Sequence, residues 1–185
     1  LVGSEMCIRD RAYGSSPALA EGVIAVFLGH LFGLDAKSGE ILWEQPKVHK
    51  NVAAVQAATF GGEKVFVTQQ ADIIRPKDGE LLFRPRGETS GDNGWAPPVA
   101  LGNILYRAQY GVNQITIFDF ATAARDEWKP KEIGQISTPP EVSRKADGGW
   151  IDRWTAGSML VHEGLAYQTD IYGYLYVLSL IHISE

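Results

Sequence analysis

Apolar and polar residues alternate in short bursts along this chain, and the bursts return on a regular pitch. "EGVIAVF" (Glu21 to Phe27) is answered by "GEKVFVT" (Gly62 to Thr68), "LGNILYR" (Leu101 to Arg107) and "HEGLAYQT" (His162 to Thr169). Each is a turn leading into a run of Val, Ile, Leu and aromatic residues, which reads as a strand. A second apolar run follows each one: "HLFGLD" at 30–35, "ADIIRP" at 71–76, "NQITIFDF" at 113–120 and "GYLYVL" at 173–178. A further short strand opens each unit, at 15–20, 55–60, 96–101 and 155–160. In the first two units a glycine turn, ending at Gly39 or Gly79, leads to a last run that finishes on Trp43 or Phe83; in the third, "ATAARDEW" takes that place and finishes on Trp128. Apolar runs this short, cut by Gly, Pro, Asp and Asn, leave no room for helical periodicity.

The pitch sets the architecture. Gly22, Gly62 and Gly102 step by forty residues, and Gly164 follows sixty-two later. Four-stranded antiparallel units repeating about every forty residues are what a β-propeller blade requires. The expected fold is therefore all-β: a partial β-propeller of about four blades, near 12–50, 51–90, 91–150 and 151–178, the last cut short. The extra length in the third unit, Lys129 to Trp154, carries Pro139, Pro140, Gly148 and Gly149 and reads as a long excursion on one face.

The stretch "SSPALAEGVIAVFLGHLFGLDAKSGEILWE" (Ser15 to Glu44) resembles the pyrrolo-quinoline quinone (PQQ) repeat family, whose units run through "LxALDAxTG" to "xxLW". "AYQTDIYGYLYVLS" is similar to the middle of another copy, and the second and third units are degenerate versions. The resemblance implies a propeller in which the last aromatic of each blade docks on a neighbour, making Trp43, Phe83 and Trp128 structural staples. Gly39 and Gly79 then supply the positive φ of the outer turns. WD40 and kelch propellers are weaker matches, because no Trp-Asp follows Gly29-His30.

The family divides into enzymes and non-enzymes. PQQ-dependent dehydrogenases stack the quinone on a Trp, bind calcium through Glu, Asn and Asp, and often place a cysteine pair beside the cofactor. None of that constellation is assignable here: no catalytic, cofactor or metal residue is identified, and PQQ and calcium enter only on the alternative reading, a dehydrogenase whose catalytic blades lie outside this stretch. The leading expectation is a non-catalytic binding scaffold for a protein, peptide or carbohydrate, located in the periplasm, at the cell surface or outside the cell, as the family resemblance implies. One non-catalytic group of the family is similar to the lipoprotein scaffold of the outer-membrane barrel-assembly machinery.

Composition narrows the partners. The formal charge is −5 over 185 residues, with no run of Lys or Arg, which argues against nucleic acid. No apolar stretch approaches the roughly 20 residues that span a bilayer. Residues 1–11 and 179–185 read as translated sequencing-adapter sequence and are set aside. That removes Cys7, the single cysteine, and His182 from any chemical argument.

Two stretches carry the sharper functional reading. "GDNGWAPP" (Gly91 to Pro98) and "DGGWIDRW" (Asp147 to Trp154) each precede the first strand of a unit. Trp95, Trp150 and Trp154 are read either as an aromatic platform for sugars or extended peptides, with Asp152 and Arg153 as orienting charges, or as filler between blades. His30, His49 and His162 show no ligand spacing, and Ser15, Ser16 and Ser158 lack a nucleophile setting.

Overall fold

A computed structural model describes residues 16–48, 54–85, 97–109, 114–123, 127–137, 159–169 and 175–180. Fifteen strands in these segments form four antiparallel sheets, each built from consecutive strands. The first sheet is β1 (Ala18–Ala20), β2 (Val23–Phe27), β3 (Leu31–Asp35) and β4 (Ile41–Gln45). The second is β5 (Gln56–Phe60), β6 (Glu63–Val67), β7 (Ile73–Ile74) and β8 (Leu81–Phe83). The third is β9 (Val99–Leu101), β10 (Ile104–Gln109), β11 (Gln114–Asp119) and β12 (Lys131–Ser137). The fourth is β13 (Leu160–His162), β14 (Leu165–Thr169) and β15 (Leu175–Ser179).

Local chemistry explains the meander. Two-residue turns join the first two strands of each sheet, and their left-handed positions fall on Glu21-Gly22, Gly61-Gly62 and Glu163-Gly164, with Gly102 serving the third sheet. Such turns match the twist of the strands they connect. The β3–β4 and β7–β8 connections share a backbone frame: Gly39 N–H donates to Asp35 O at 2.8 Å and Gly79 N–H to Arg75 O at 3.0 Å. The side chains that brace this frame differ. Asp35 Oδ1 accepts from the Lys37 and Ser38 amides and the Ser38 hydroxyl, whereas Arg75 pairs with Asp78 and Glu80.

The sheets stack face to face through three apolar layers. Ala18, Ala25, Leu31 and Trp43 of the first sheet meet Phe66 and Ile74 of the second. The opposite face of the second, with Phe60, Val65, Val67 and Ile73, meets Leu105, Phe118 and Phe120 of the third. Tyr106, Ile115 and Ile117 then meet Ala166 and, from the edge, Val161 and Leu178 of the fourth. Period-two alternation puts each strand's odd and even residues into different layers.

One element departs from the sequence expectation. The outer strand of the third sheet is β12, not the "ATAARDEW" segment; Ala121 to Ala123 and Glu127-Trp128 are turns. β12 lies inside the stretch read above as an excursion. Register shows why it belongs there: Gly33 pairs with Trp43, Ile73 with Phe83 and Ile117 with Gly134, each followed by a β-bulge. Position 134, rather than 128, thus corresponds to Trp43. The fourth sheet's opening strand is Leu160–His162, and positions 155–158 of the segment expected to form it lie outside the described residues.

Candidate functional site

Trp43 clamps the first sheet to the second. Its Nε1–H donates to Pro76 O at 2.8 Å, and Gln45 Nε2 donates to Gly79 O at 2.8 Å. The indole lies between two glycines: a Cβ on Gly33 would come within 2.0 Å of Trp43 Cε2, and one on Gly79 within 2.6 Å of Cδ2. Gly79 has φ +72°, so it serves both the turn and the clamp, whereas Gly39, at φ +77°, faces open space. Phe83 is half-buried and meets Phe118 and Phe120 of the third sheet edge-on, at 5.5 and 5.4 Å between ring centroids. Trp128 is buried, with φ +56°, and packs into the layer between the second and third sheets.

Polar chemistry concentrates beside that same layer. β7 and β8 have two and three residues, while β11 and β12 have six and seven. Beyond the apolar layer, the face of the third sheet that carries Leu105 and Phe118 turns polar. Cross-strand pairing lines up Leu105, Phe118 and Glu132 in one row and Arg107, Thr116 and Gln135 in the next. A cavity of about 390 Å³ opens there. Its walls are Phe83, Phe118 and Pro130 on the apolar side, with Arg107, Gln114, Thr116, Glu132 and Gln135 supplying polar groups. Amides are chained across it: Gln114 Nε2 donates to Gln135 Oε1 at 2.8 Å, and Gln135 Nε2 to Glu132 Oε1 at 2.7 Å.

The electrostatics centre on three residues. A tight turn after β6 seats Asp72, only 1% exposed, with its N–H donating to Thr68 Oγ1 at 3.1 Å. Ala71 holds a left-handed φ of +65° in that turn, an arrangement that costs an alanine about 1 kcal/mol or more. Arg84 grips Asp72 with both prongs, Nε to Oδ1 and Nη2 to Oδ2, each at 2.8 Å, and also donates to Lys47 O at 2.7 Å. The Asp72 bond raises the Arg84 pKa, against the effect of burial. Arg107 behaves oppositely: it is 6% exposed, burial lowers its pKa, and the Asp72 charge offsets this only in part. No guanidinium nitrogen of Arg107 is hydrogen-bonded to another described residue. Asp72 already spends its two oxygens on Arg84.

The other candidates are placed apart or fall elsewhere. His30 is part-exposed, paired through Nδ1 with Glu44, and His162 sits beside Glu163 on a different sheet. Among the described residues no three His, Cys, Asp or Glu side chains gather as a metal site. Trp95, Trp150, Asp152, Arg153 and Trp154, like His49, lie outside the described residues. The described tryptophans, Trp43 and Trp128, are packed between sheets and offer no face on which a quinone could stack. These residues do not fit that cofactor.

No protein-family model matches the sequence, and no curated protein matches it. Solved structures share its architecture. BamB from Moraxella catarrhalis superposes with a TM-score of 0.62 at 16% identity, over 90% of this chain and 50% of BamB. This chain has a β-propeller fold. The four sheets are its blades, and the chain spans about half the length of BamB. The quinohemoprotein alcohol dehydrogenase ADHIIG from Pseudomonas putida HK5 superposes with a TM-score of 0.53 at 13% identity, over 85% of this chain and 28% of that one. The computationally designed protein Ika8 gives 0.51 at 13% identity, over 90% and 45%. Among the described residues no helix is long and apolar enough to cross a membrane.

Sequence reading singled out Phe83 in the cleft and passed over Asp72, Arg84 and, on β10, Arg107. For Arg107 the signal was present: it is in phase with Leu105 on β10, two residues along the strand, so period two places it on the buried face.

Proposed function

We propose that this chain is part of a non-catalytic binding scaffold of the periplasm, cell surface or extracellular space, its blades presenting clefts to a protein, peptide or carbohydrate. The cleft between blades 2 and 3 carries the proposal. It joins aromatic walls to a chain of side-chain amides within about 390 Å³, near the lower end of the ~300–1,000 Å³ that ligand pockets span. The family resemblance supports the compartment, and the aromatic stretches at Trp95 and at Trp150 to Trp154 belong to the proposal as a second contact surface.

The test uses the protein expressed from the continuous genomic reading frame that contains residues 12–178. Binding to a panel of extended peptides and oligosaccharides is measured for it and for Gln135→Trp, which fills the cleft from its exposed rim. Saturable binding that Gln135→Trp weakens is expected; failure of the whole panel to bind sinks the scaffold reading. In parallel the protein is titrated with PQQ and calcium and assayed for dye-linked oxidation of ethanol and glucose. Calcium-dependent quinone uptake with turnover would contradict the non-catalytic assignment.

A further inference from the structure

We infer that the cleft between blades 2 and 3 binds a carboxylate, held by the Arg107 guanidinium. The inference rests on the scaffold reading and names the chemistry of its ligand. A guanidinium carries five N–H donors and stays charged in proteins. Removing such a cation from water is costly unless a partner accepts its hydrogen bonds. Arg107 is 6% exposed, lines the cavity, and has no hydrogen-bonded partner among the described residues. Its neighbouring anion, Asp72, is committed to Arg84 through both oxygens. With both Asp72 oxygens on Arg84, Asp72 offsets the Arg107 charge only in part, and the guanidinium keeps its donors for the cavity it lines.

The rest of the lining chooses among anions. Two parallel N–H groups of a guanidinium match the two oxygens of a carboxylate, which makes the pair strong and directional. Phosphate, with a charge of about −1.5 to −2 at neutral pH, would meet the Glu132 carboxylate on the same wall. A single negative charge balances Arg107 with less repulsion. Phe83 and Phe118 offer apolar wall to a short hydrocarbon stem behind that carboxylate. A peptide Glu or Asp side chain and a free dicarboxylate share this chemistry.

The full chain is titrated at constant ionic strength with acetyl-Ala-Glu-Ala-amide, with succinate and with inorganic phosphate, following the arginine side-chain Nε–H resonances by NMR. The inference expects a saturable shift of the Arg107 resonance with at least one carboxylate, weakened about ten-fold or more in Arg107→Lys, since an ammonium cannot reproduce the fork. Tighter binding of the peptide identifies a peptide-borne group, and tighter binding of succinate a free acid; both support the inference. Gln135→Trp is the second variant and must also weaken binding. No saturable response to either carboxylate, a response unchanged in Arg107→Lys or Gln135→Trp, or tighter binding of phosphate overturns it. If the carboxylates fail while the peptide and sugar panel still binds through the cleft, the anion assignment alone falls.

Discussion

Gly33 and Trp43 are cross-strand partners in the first blade, and the glycine leaves the space that the indole fills. The same indole covers Gly79 of the second blade, so one side chain locks two blades through two missing methyl groups. Gly79→Ala combines a steric clash with a left-handed φ, whereas Gly39→Ala has only the left-handed φ to contend with. Overpacking costs about 1–3 kcal/mol and the left-handed alanine about 1–2 kcal/mol. Denaturant unfolding should therefore rank Gly79→Ala below Gly39→Ala in stability by at least ~1 kcal/mol. Equal losses would show that the indole is not seated on Gly79.

Trp43→Phe keeps most of the apolar area but strands the Pro76 carbonyl, which accepts Nε1–H at 2.8 Å. A lost buried hydrogen bond costs about 1–3 kcal/mol, and Trp43→Ala should cost about 3–5 kcal/mol. Chemical denaturation of both variants checks the order. Backbone amide exchange should quicken most in the β3–β4 and β7–β8 turns.

Asp72→Asn removes the single carboxylate that two guanidiniums face. Arg84 loses the carboxylate it grips with both prongs, and Arg107 loses its nearest countercharge. Breaking a buried pair costs about 3–5 kcal/mol. Arg84→Met should cost at least as much, because it strands the Asp72 carboxylate, 1% exposed, without the guanidinium bound to both of its oxygens. Paired unfolding curves decide this, and the reverse order would contradict the arrangement.

Acid sensitivity follows from the outer turns. The Ser38 and Lys37 amides hold the Asp35 carboxyl below its ordinary 3.8, and the Glu80 amide, more than Arg75, does the same for Asp78. A depressed carboxylate contributes stability above its unfolded pKa and loses it as pH falls through the folded one. The melting temperature of the native chain should exceed that of Asp35→Asn at pH 6, and the gap should close below about pH 4. A gap that persists in acid would mean the carboxylate charge is not what braces the turn.

Most strands were legible because period-two runs and glycine turns are local signals. β12 was not. "KEIGQIS" offers only Ile133 and Ile136, and the bulge at Ile117/Phe118 breaks their alternation, so Trp128 drew the strand assignment to itself. Trp128 is buried, but it fills the layer behind its own sheet. The cleft was hidden for a different reason. It forms between two blades: Asp72 and Arg84 pair within one of them, and Arg107 joins them only when the two stack. No spacing along the chain encodes that meeting.

The most direct measurement is the unfolding free energy of Arg107→Met without added ligand. A guanidinium kept for binding contributes nothing to the unliganded fold, and replacing a poorly paired buried charge with an apolar side chain is often neutral or stabilising by about 1–4 kcal/mol. Arg107→Met should be at least as stable as the native chain while failing to bind the carboxylate. A loss comparable to that of Asp72→Asn would show that Arg107 serves the fold, and the cleft would no longer stand as a binding site.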